Sequence, residues 1–447
     1  MRSIYFDFET SDRYCIGQLL NYCFIVVDEN FVLQEECAGT VALTPLQVPS
    51  LGALLANRIR ILDHCVEKIP AMRSEREAAL HIYSFIMRLT KQEKFALIGF
   101  NSFKFDVPFL RTVLIRNGLN PYFNSNLVYR DLYPAVQYLA CTNESFPRTT
   151  NQKGEFSLSL EAVTRHLNLL EGAQSHESRA DVVLEIDLAR VLSQKFSLNI
   201  VSWDAYMAGF AHSLPRGTLV HQLKPGREEN KLRLKPLMLL DCDKRNSLWV
   251  DLERYSEKKP ALTLGKIKGG QLLVAPYTKI ADSKHAETEN TRDLALTEYN
   301  QENSYMNLQR YFLRKSECDI EQDIYRLEFE DLDRLHAALH DRGLDSVNQD
   351  RIIRKSDSKD LKVLWARAKL ATSQPDNPGY TQLLQMYGKY RYGGGQLLLS
   401  RYNHNPSFAT SRSELLADVL KPLENPEDEE IRNQLSQFYR TSAVLSF

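Results

Sequence analysis

The sequence predicts an α/β domain over residues 1–197, a small β-rich domain over 198–320 and a helical domain over 321–447. Three observations carry that expectation. Near the start, Ile4, Phe6 and Phe8 alternate with Tyr5, Asp7 and Glu9, the period-2 pattern of a strand with both acids on one face. Short apolar runs then alternate with stretches of helical spacing up to Phe196. Beyond it the texture turns to Gly, Pro and charge, then to strand-like runs, and helical spacing returns from about residue 320. A chain of 447 residues also exceeds what one core usually organises.

Taken in order, residues 22–35 (YCFIVVDENFVLQE) read as strand, Asp-Glu-Asn turn and strand, a hairpin extending an antiparallel edge. Residues 72–92 have helical periodicity, 95–100 (FALIGF) form a short buried strand, and 106–118 form a helix closed by Gly118. Residues 126–132 (NLVYRDL) read as a further strand, and 157–170 and 179–196 as helices. Downstream, PLMLLDCD, SLWVDLE and QLLVAPYTK read as strands, and IEQDIYRLEFEDLDRLHAALHDRGL as a helix stopped by Gly343.

The composition is that of a globular protein, with 43% hydrophobic and 25% charged residues, which excludes a disordered or fibrous chain. A formal net charge of -1 means that any surface for a polyanion must come from local clusters. Seven cysteines in an odd set without CxxC spacing predict neither a disulfide framework nor a zinc module, and so a reducing cytoplasm. The acids of MRSIYFDFET leave no apolar leader region, and no apolar run reaches the ~18 residues of a membrane span. A cytoplasmic protein without a membrane partner is expected.

Three short motifs carry the chemistry. In Asp7-Phe8-Glu9 the i, i+2 spacing on a strand points two carboxylates to one side, where hard oxygen ligands could hold Mg²⁺ or Mn²⁺. Asn101 and Asp106 follow the buried strand directly, at the carboxyl end where open sheets gather ligands. His176 precedes Asp181 by five residues, with Asp181 in the first turn of a helix whose Leu184, Leu188 and Leu192 share its face. Each motif alone has an ordinary alternative: an exposed strand face, a helix N-cap and a solvated loop histidine.

Together, Asp, Glu, Asp, His and Asp in that order, on a strand, a strand–helix junction and a helix N-terminus, resemble the DEDD exonuclease superfamily in its histidine-containing subgroup. That resemblance implies a ribonuclease H-like fold, a mixed five-stranded sheet with flanking helices. It also implies that Asp7, Glu9, Asp106 and Asp181 hold two divalent metals, Mg²⁺ with Mn²⁺ as a substitute, while His176 takes the proton of the attacking water.

The similarity goes further, to the exonuclease I family, which cuts single-stranded DNA from the 3′ end. It rests on DFET, on Gln18, on GFNSFKFDVPFLRTVLIRNGLNPY and on FSLSLEAVTRHLNLLEGAQSHESRADV, and then on PLMLLDCDKRNSLWVDLE and LWARAKLATSQPDNPGY. The resemblance implies an SH3-like second domain, a monomer, single-stranded DNA as substrate and single-stranded DNA-binding protein as partner. Phe8, Gln18, Asn101, Phe103 and Lys104 are the expected contacts for the terminal nucleotide. Where the family carries a Gly- or Pro-rich loop after its first acids, this chain has SDRYCIGQLLN.

Cations cluster at residues 212–236 (six Lys or Arg), at 351–369 (seven) and, interleaved with Tyr387, Tyr390, Tyr392 and Tyr402, at 387–402; these are expected strand contacts. Two other functions fit parts of the pattern: an exonuclease for RNA 3′ ends or short oligonucleotides, and a catalytically inert single-strand-binding protein. The 250 residues beyond the catalytic segment favour a long strand path over the first, and the presence of all five side chains disfavours the second.

Overall fold

The structure is a computed structural model. It describes residues 1–12, 17–44, 46–64, 72–171, 174, 177–203, 214–225, 232–242, 246–266, 274–277, 285–301, 359–370, 379–392, 397–399, 406–408, 412–420, 423, 425–442 and 445.

Strand β1 (Arg2–Thr10) sits at the centre of a five-stranded sheet. It pairs antiparallel with β2 (Leu19–Val27), which pairs antiparallel with the edge strand β3 (Leu33–Thr40). On its other side β1 runs parallel to β4 (Phe95–Gly99), and β4 parallel to β5 (Leu127–Asp131), giving the order β3-β2-β1-β4-β5. A helix α1 (Leu51–Ala56) follows β3, capped by the Ser50 side chain. Helix α2 (Glu75–Thr90) opens with a capping box: Ser74 accepts from the Glu77 N–H, and Glu77 accepts from the Ser74 N–H.

The alternation in β1 is used on both faces. Ile4, Phe6 and Phe8 enter a core with Phe24, α2 and the helix α3 (Asp106–Arg116). Tyr5 and its neighbours on the opposite face meet α4 (Leu132–Thr142), α5 (Leu160–His166) and α6 (Ser178–Phe196). The strand face carrying Asp7 and Glu9 is therefore covered, not exposed. Ser197, in the left-handed region at φ 54°, closes α6 and ends this layer. Helices α1 and α4 had no counterpart in the sequence pattern. α4 is apolar nearly all round (LYPAVQYLACT), so it carries no stripe.

The middle segment forms a second, antiparallel sheet of five strands, β6 (Leu219–Pro225), β7 (Leu232–Cys242), β8 (Asn246–Asp251), β9 (Leu262–Lys266) and β10 (Val274–Pro276), in the order β10-β6-β7-β8-β9. A short helix α7 (Leu252–Ser256) follows β8, and a longer helix, α8 (His285–Gln301), packs Ala295 against Met238, Leu240 and Val250. Its sequence, HAETENTRDLALTEYNQ, is too polar to have shown a helical stripe.

The helices Lys359–Leu370, Tyr380–Tyr392, Arg412–Asp418 and Pro426–Thr441 lie in the C-terminal segment, with a two-stranded ribbon, Leu397–Leu399 and Pro406–Phe408. They share a core with the first domain: Leu384, Tyr387, Leu415, Leu435 and Tyr439 pack with Leu20, Leu46, Leu51 and Leu54. The helix expected before Gly343 lies outside the described residues. Among the described residues no helix is long and apolar enough to cross a membrane.

Candidate active site

Parallel pairing fixes where the chemistry sits. β1 runs on past its last partner in β4, Tyr5 opposite Ile98, so Asp7 and Glu9 project beyond the carboxyl end of β4. There the chain turns sharply from β4 into α3. Gly99 permits that turn, because a Cβ would lie 2.8 Å from the Ser102 Cβ and 3.1 Å from the Phe6 carbonyl oxygen. Asn101 follows in the left-handed region at φ 58°. Asp131, the last residue of β5, gathers the turn by accepting from the Asn101 N–H (2.7 Å) and the Phe103 N–H (3.0 Å), and it caps α4 through Tyr133 N–H (2.9 Å).

Helix α6 brings the remaining acid. Asp7, Glu9 and Asp181 each offer an oxygen, and these oxygens all lie within 4.8 Å of one another. Glu9, Asp106 and Asp181 are buried, and Asp7 keeps an opening to solvent. Asp106 is not a helix cap: the N-cap position of α3 is Phe105, which makes no side-chain cap bond, and Asp106 occupies the first helical turn. Asp106 is not among the three acids whose oxygens lie within 4.8 Å of one another, but it is the largest charge acting on Asp7.

Burial, and after it the neighbouring acids, raises these carboxyls. Burial first, and then the charges of Asp106, Glu185, Glu9 and Asp181, push the Asp7 carboxyl well above the usual carboxylate range. Burial followed by Asp181 and Asp106 takes Glu9 up to about 9. Burial and then Asp131 take Asp106 up to about 8. Asp131 rises to about 6 through burial, held down by its three backbone N–H donors. Among the described residues, no lysine or arginine forms an ion pair with Asp7, Glu9 or Asp106. A crowd of hard oxygen donors without a cationic side chain fits divalent metal ions of the Mg²⁺ or Mn²⁺ kind.

A pH dependence follows from these directions. Carboxyls with raised folded-state values contribute stability that is complete below their unfolded range and is lost as pH rises through about 8 and about 9, the values of Asp106 and Glu9. In chelator, the melting temperature should fall between about pH 6 and about pH 9. Millimolar Mn²⁺ should restore it, more at the higher pH, because a bound cation replaces the protons. A flat chelator profile in thermal scans would contradict this.

Of the remaining expected residues, His176 lies outside the described residues. Gln18 is fully buried: its amide donates to the Ala42 carbonyl (2.7 Å) and its oxygen accepts from Thr44 N–H (3.0 Å). Phe8 is likewise internal. It points to the face opposite Asp7 and packs in the core against Phe6, Phe24 and Phe109. Lys104 is exposed, and Asn101 and Phe103 are half-buried on the turn above the acids.

Two of the expected strand-contacting cations are engaged by acids of the chain, Lys235 half-buried and Arg367 fully buried. Lys235 pairs with Asp251 (3.2 Å) and Glu253 (3.8 Å), and Arg367 is buried against Glu75 (3.0 Å). Tyr387 belongs to the core. Much of the three basic stretches lies outside the described residues.

Sequence reasoning missed two acids. Asp131 stands at the carboxyl end of β5, and Glu185 follows Asp181 by one helical turn. The i, i+4 relation to Asp181 was a usable signal for Glu185. Leu188 and Leu192 do pack inward, whereas Leu184 is only partly buried.

The Gly99 turn gives a sharp check. Replacing Gly99 by alanine should cost about 1–3 kcal/mol, since neither Ser102 nor the β1 backbone can yield freely. It should also lower turnover by up to about 10²-fold through displacement of Asp106. Thermal unfolding and initial rates measure the two effects, and a variant matching wild type in both would refute the steric account.

No family model matches the chain. A curated relative, exodeoxyribonuclease I of Buchnera aphidicola, is 30% identical over 128 residues, covering 27% of this chain and 25% of the relative. The matched stretch thus spans a quarter of that protein's length. Among solved structures, exonuclease I from Methylocaldum szegediense superposes with a TM-score of 0.71 at 16% identity, over 99% of each chain. The zinc-ion-bound complex of E. coli exonuclease I with single-stranded DNA gives 0.71 at 15% identity, again over 99% of each chain. The chain has the fold of exonuclease I from end to end, with a mixed five-stranded sheet and flanking helices holding its acids.

Proposed function

We propose that this chain is a 3′→5′ exonuclease that removes nucleoside 5′-monophosphates from single-stranded DNA. The observation that carries the proposal is the set of Asp7, Glu9 and Asp181 oxygens within 4.8 Å of one another, in a chain with the exonuclease I fold throughout. Two divalent ions, Mg²⁺ in the cell with Mn²⁺ as a substitute, would neutralise charge on the attacking and leaving oxygens of the phosphodiester. Asp7, Glu9, Asp106 and Asp181 hold them. His176 accepts the proton of the attacking water, a task suited to a group titrating near neutrality.

The protein's other parts follow the same scheme. Asp131 fixes the turn that carries Asn101, Phe103 and Lys104, and in this reading that turn meets the terminal nucleotide. The domain of residues 198–320, SH3-like in this reading, and the helical domain of 321–447 extend the path of the strand. Their basic stretches supply phosphate contacts. The protein acts as a cytoplasmic monomer in DNA repair and recombination. Single-stranded DNA-binding protein is its partner, and exonuclease I has been solved together with that protein and an inhibitor.

The test is a time course on a 5′-labelled single-stranded DNA oligomer with Mg²⁺, run beside matching RNA and duplex DNA. A descending ladder on single-stranded DNA alone is expected. Shortening of RNA at an equal or greater rate would replace the substrate assignment, and tight binding without shortening would replace the enzyme by a binding protein. Activity should fall below neutral pH as His176 protonates; a plateau continuing below about pH 5 would remove it as the base.

A further inference from the structure

Glu185 is a carboxylate that the scheme above does not use. It lies on α6 one turn beyond Asp181, on the face turned to the sheet, and is 1% exposed. One oxygen accepts the N–H of Phe100 (2.8 Å), the first residue after β4. The other, Oε2, is buried without a hydrogen-bond partner. A buried carboxylate oxygen left bare costs free energy that a fold does not retain without a return. Replacing it with a neutral group would relieve that cost, yet the chain keeps an acid between Leu184 and Ile186.

The groups facing Glu185 explain its place. Asp106 is the largest charge acting on it, with Asp181 and Asp131 following, and Glu185 in turn acts on Asp7 more strongly than Glu9 or Asp181 does. Glu9 and Asp181 offer oxygens within 4.8 Å of that of Asp7, and Asp106 and Glu185 are the two largest charges acting on Asp7. Five acids around one strand end are more than a single ion needs, and two-ion sites place their ions about 3.5 to 4 Å apart.

We propose that Glu185 is a fifth acidic group of the metal centre, whose free Oε2 would serve the second of two bound ions, either directly or through a water of that ion. This rests on the two-ion reading above. The bond from Phe100 to the other oxygen fixes the carboxylate plane, so the free oxygen arrives preset, as groups surrounding metal ligands commonly do.

The test uses the full chain and Mn²⁺ alone, titrated by calorimetry and by the electron paramagnetic resonance signal of free Mn²⁺. Wild type should bind two ions. Glu185→Gln keeps the volume and an acceptor for the Phe100 N–H, and should bind one ion as before and the second about 10- to 100-fold more weakly. Its metal-free melting temperature should equal or exceed that of wild type, because a crowded charge is gone. Unchanged binding of both ions by Glu185→Gln would overturn the proposal, and so would a lowered metal-free melting temperature with both ions intact. A wild type that binds no Mn²⁺ would overturn it together with the two-ion reading. If Glu185→Gln does not fold, Glu185→Asp decides: a weakened second ion supports the assignment, and wild-type affinity overturns it.

Discussion

Replacing Asp7 by asparagine should lower turnover on single-stranded DNA by about 10³-fold or more, while the metal-free protein melts no lower than wild type. The two halves of that result have one cause. Asp7 is the acid on which four other carboxylates of the site converge: Asp106, Glu185, Glu9 and Asp181 all raise its titration. In the proposed two-ion scheme its carboxylate would help to hold the metal, and a 10³-fold loss corresponds to about 4 kcal/mol of stabilisation of the reacting phosphate at 1.36 kcal/mol per tenfold. Without metal, ionising Asp7 is costly, because burial and four other acids oppose its charge, so a neutral asparagine gives up nothing. Asparagine has the same shape and keeps the β1 backbone in register, Asp7 opposite Cys23. The check pairs initial rates on a labelled oligomer with thermal unfolding in chelator. A variant retaining a tenth of wild-type turnover would remove Asp7 from the centre. A destabilised variant would show the carboxylate to be structural.

What the sequence made legible follows from what its signals encode. The alternation of Ile4, Phe6 and Phe8 with Tyr5, Asp7 and Glu9 reports a strand directly, and the strand is there over Arg2–Thr10. The same period places Phe8 opposite its neighbours, so a contact for Phe8 at the acids was already at odds with the pattern; position next to a motif is not orientation. Gln18 shows a different limit. A buried glutamine whose amide satisfies Ala42 and Thr44 looks, in sequence, the same as one aimed at a ligand. Asp131 was hidden because an acid after a strand is the ordinary start of a helix, and here it is that and more. Two cations of the basic stretches show a third limit. Counting cations over a window ignores which ones are spent internally, and Lys235 and Arg367 are.

Arg367 leads to the second large effect. Glu75, at the first turn of α2, is buried and accepts from Leu19 N–H (3.0 Å), Arg116 Nε (3.0 Å) and an Arg367 guanidinium nitrogen (3.0 Å). Arg116 belongs to α3, and Arg367 to the C-terminal helix Lys359–Leu370, so one carboxylate ties three helices and the start of β2. Arg116 and Arg367 are 0% and 1% exposed, and that asymmetry decides the outcome of mutation. Removing the anion takes from two buried guanidinium groups the carboxylate they share, whereas removing one cation leaves Glu75 still paired. Glu75→Gln should therefore cost about 3–5 kcal/mol or more. Arg367→Met should cost less, about 1–3 kcal/mol, because Arg116 remains and an apolar side chain of similar length fills the space.

The double variant Glu75→Gln/Arg367→Met should be less destabilised than the sum of the two, since the second change deletes one of the charges from which the first has taken its shared carboxylate. Denaturant unfolding of the four proteins measures the cycle. Strict additivity would mean that the three side chains do not act as a unit, and equal costs for the two single variants would mean that burial of charge is not what sets them. The bonded set also lies in the contact between the first domain and the C-terminal helices, beside Gln47. Limited proteolysis of Arg367→Met should accordingly release the C-terminal segment faster than in wild type, at an unchanged rate of cleavage elsewhere. Uniform acceleration along the chain would instead indicate global unfolding, and would separate a loosened contact from a weakened fold.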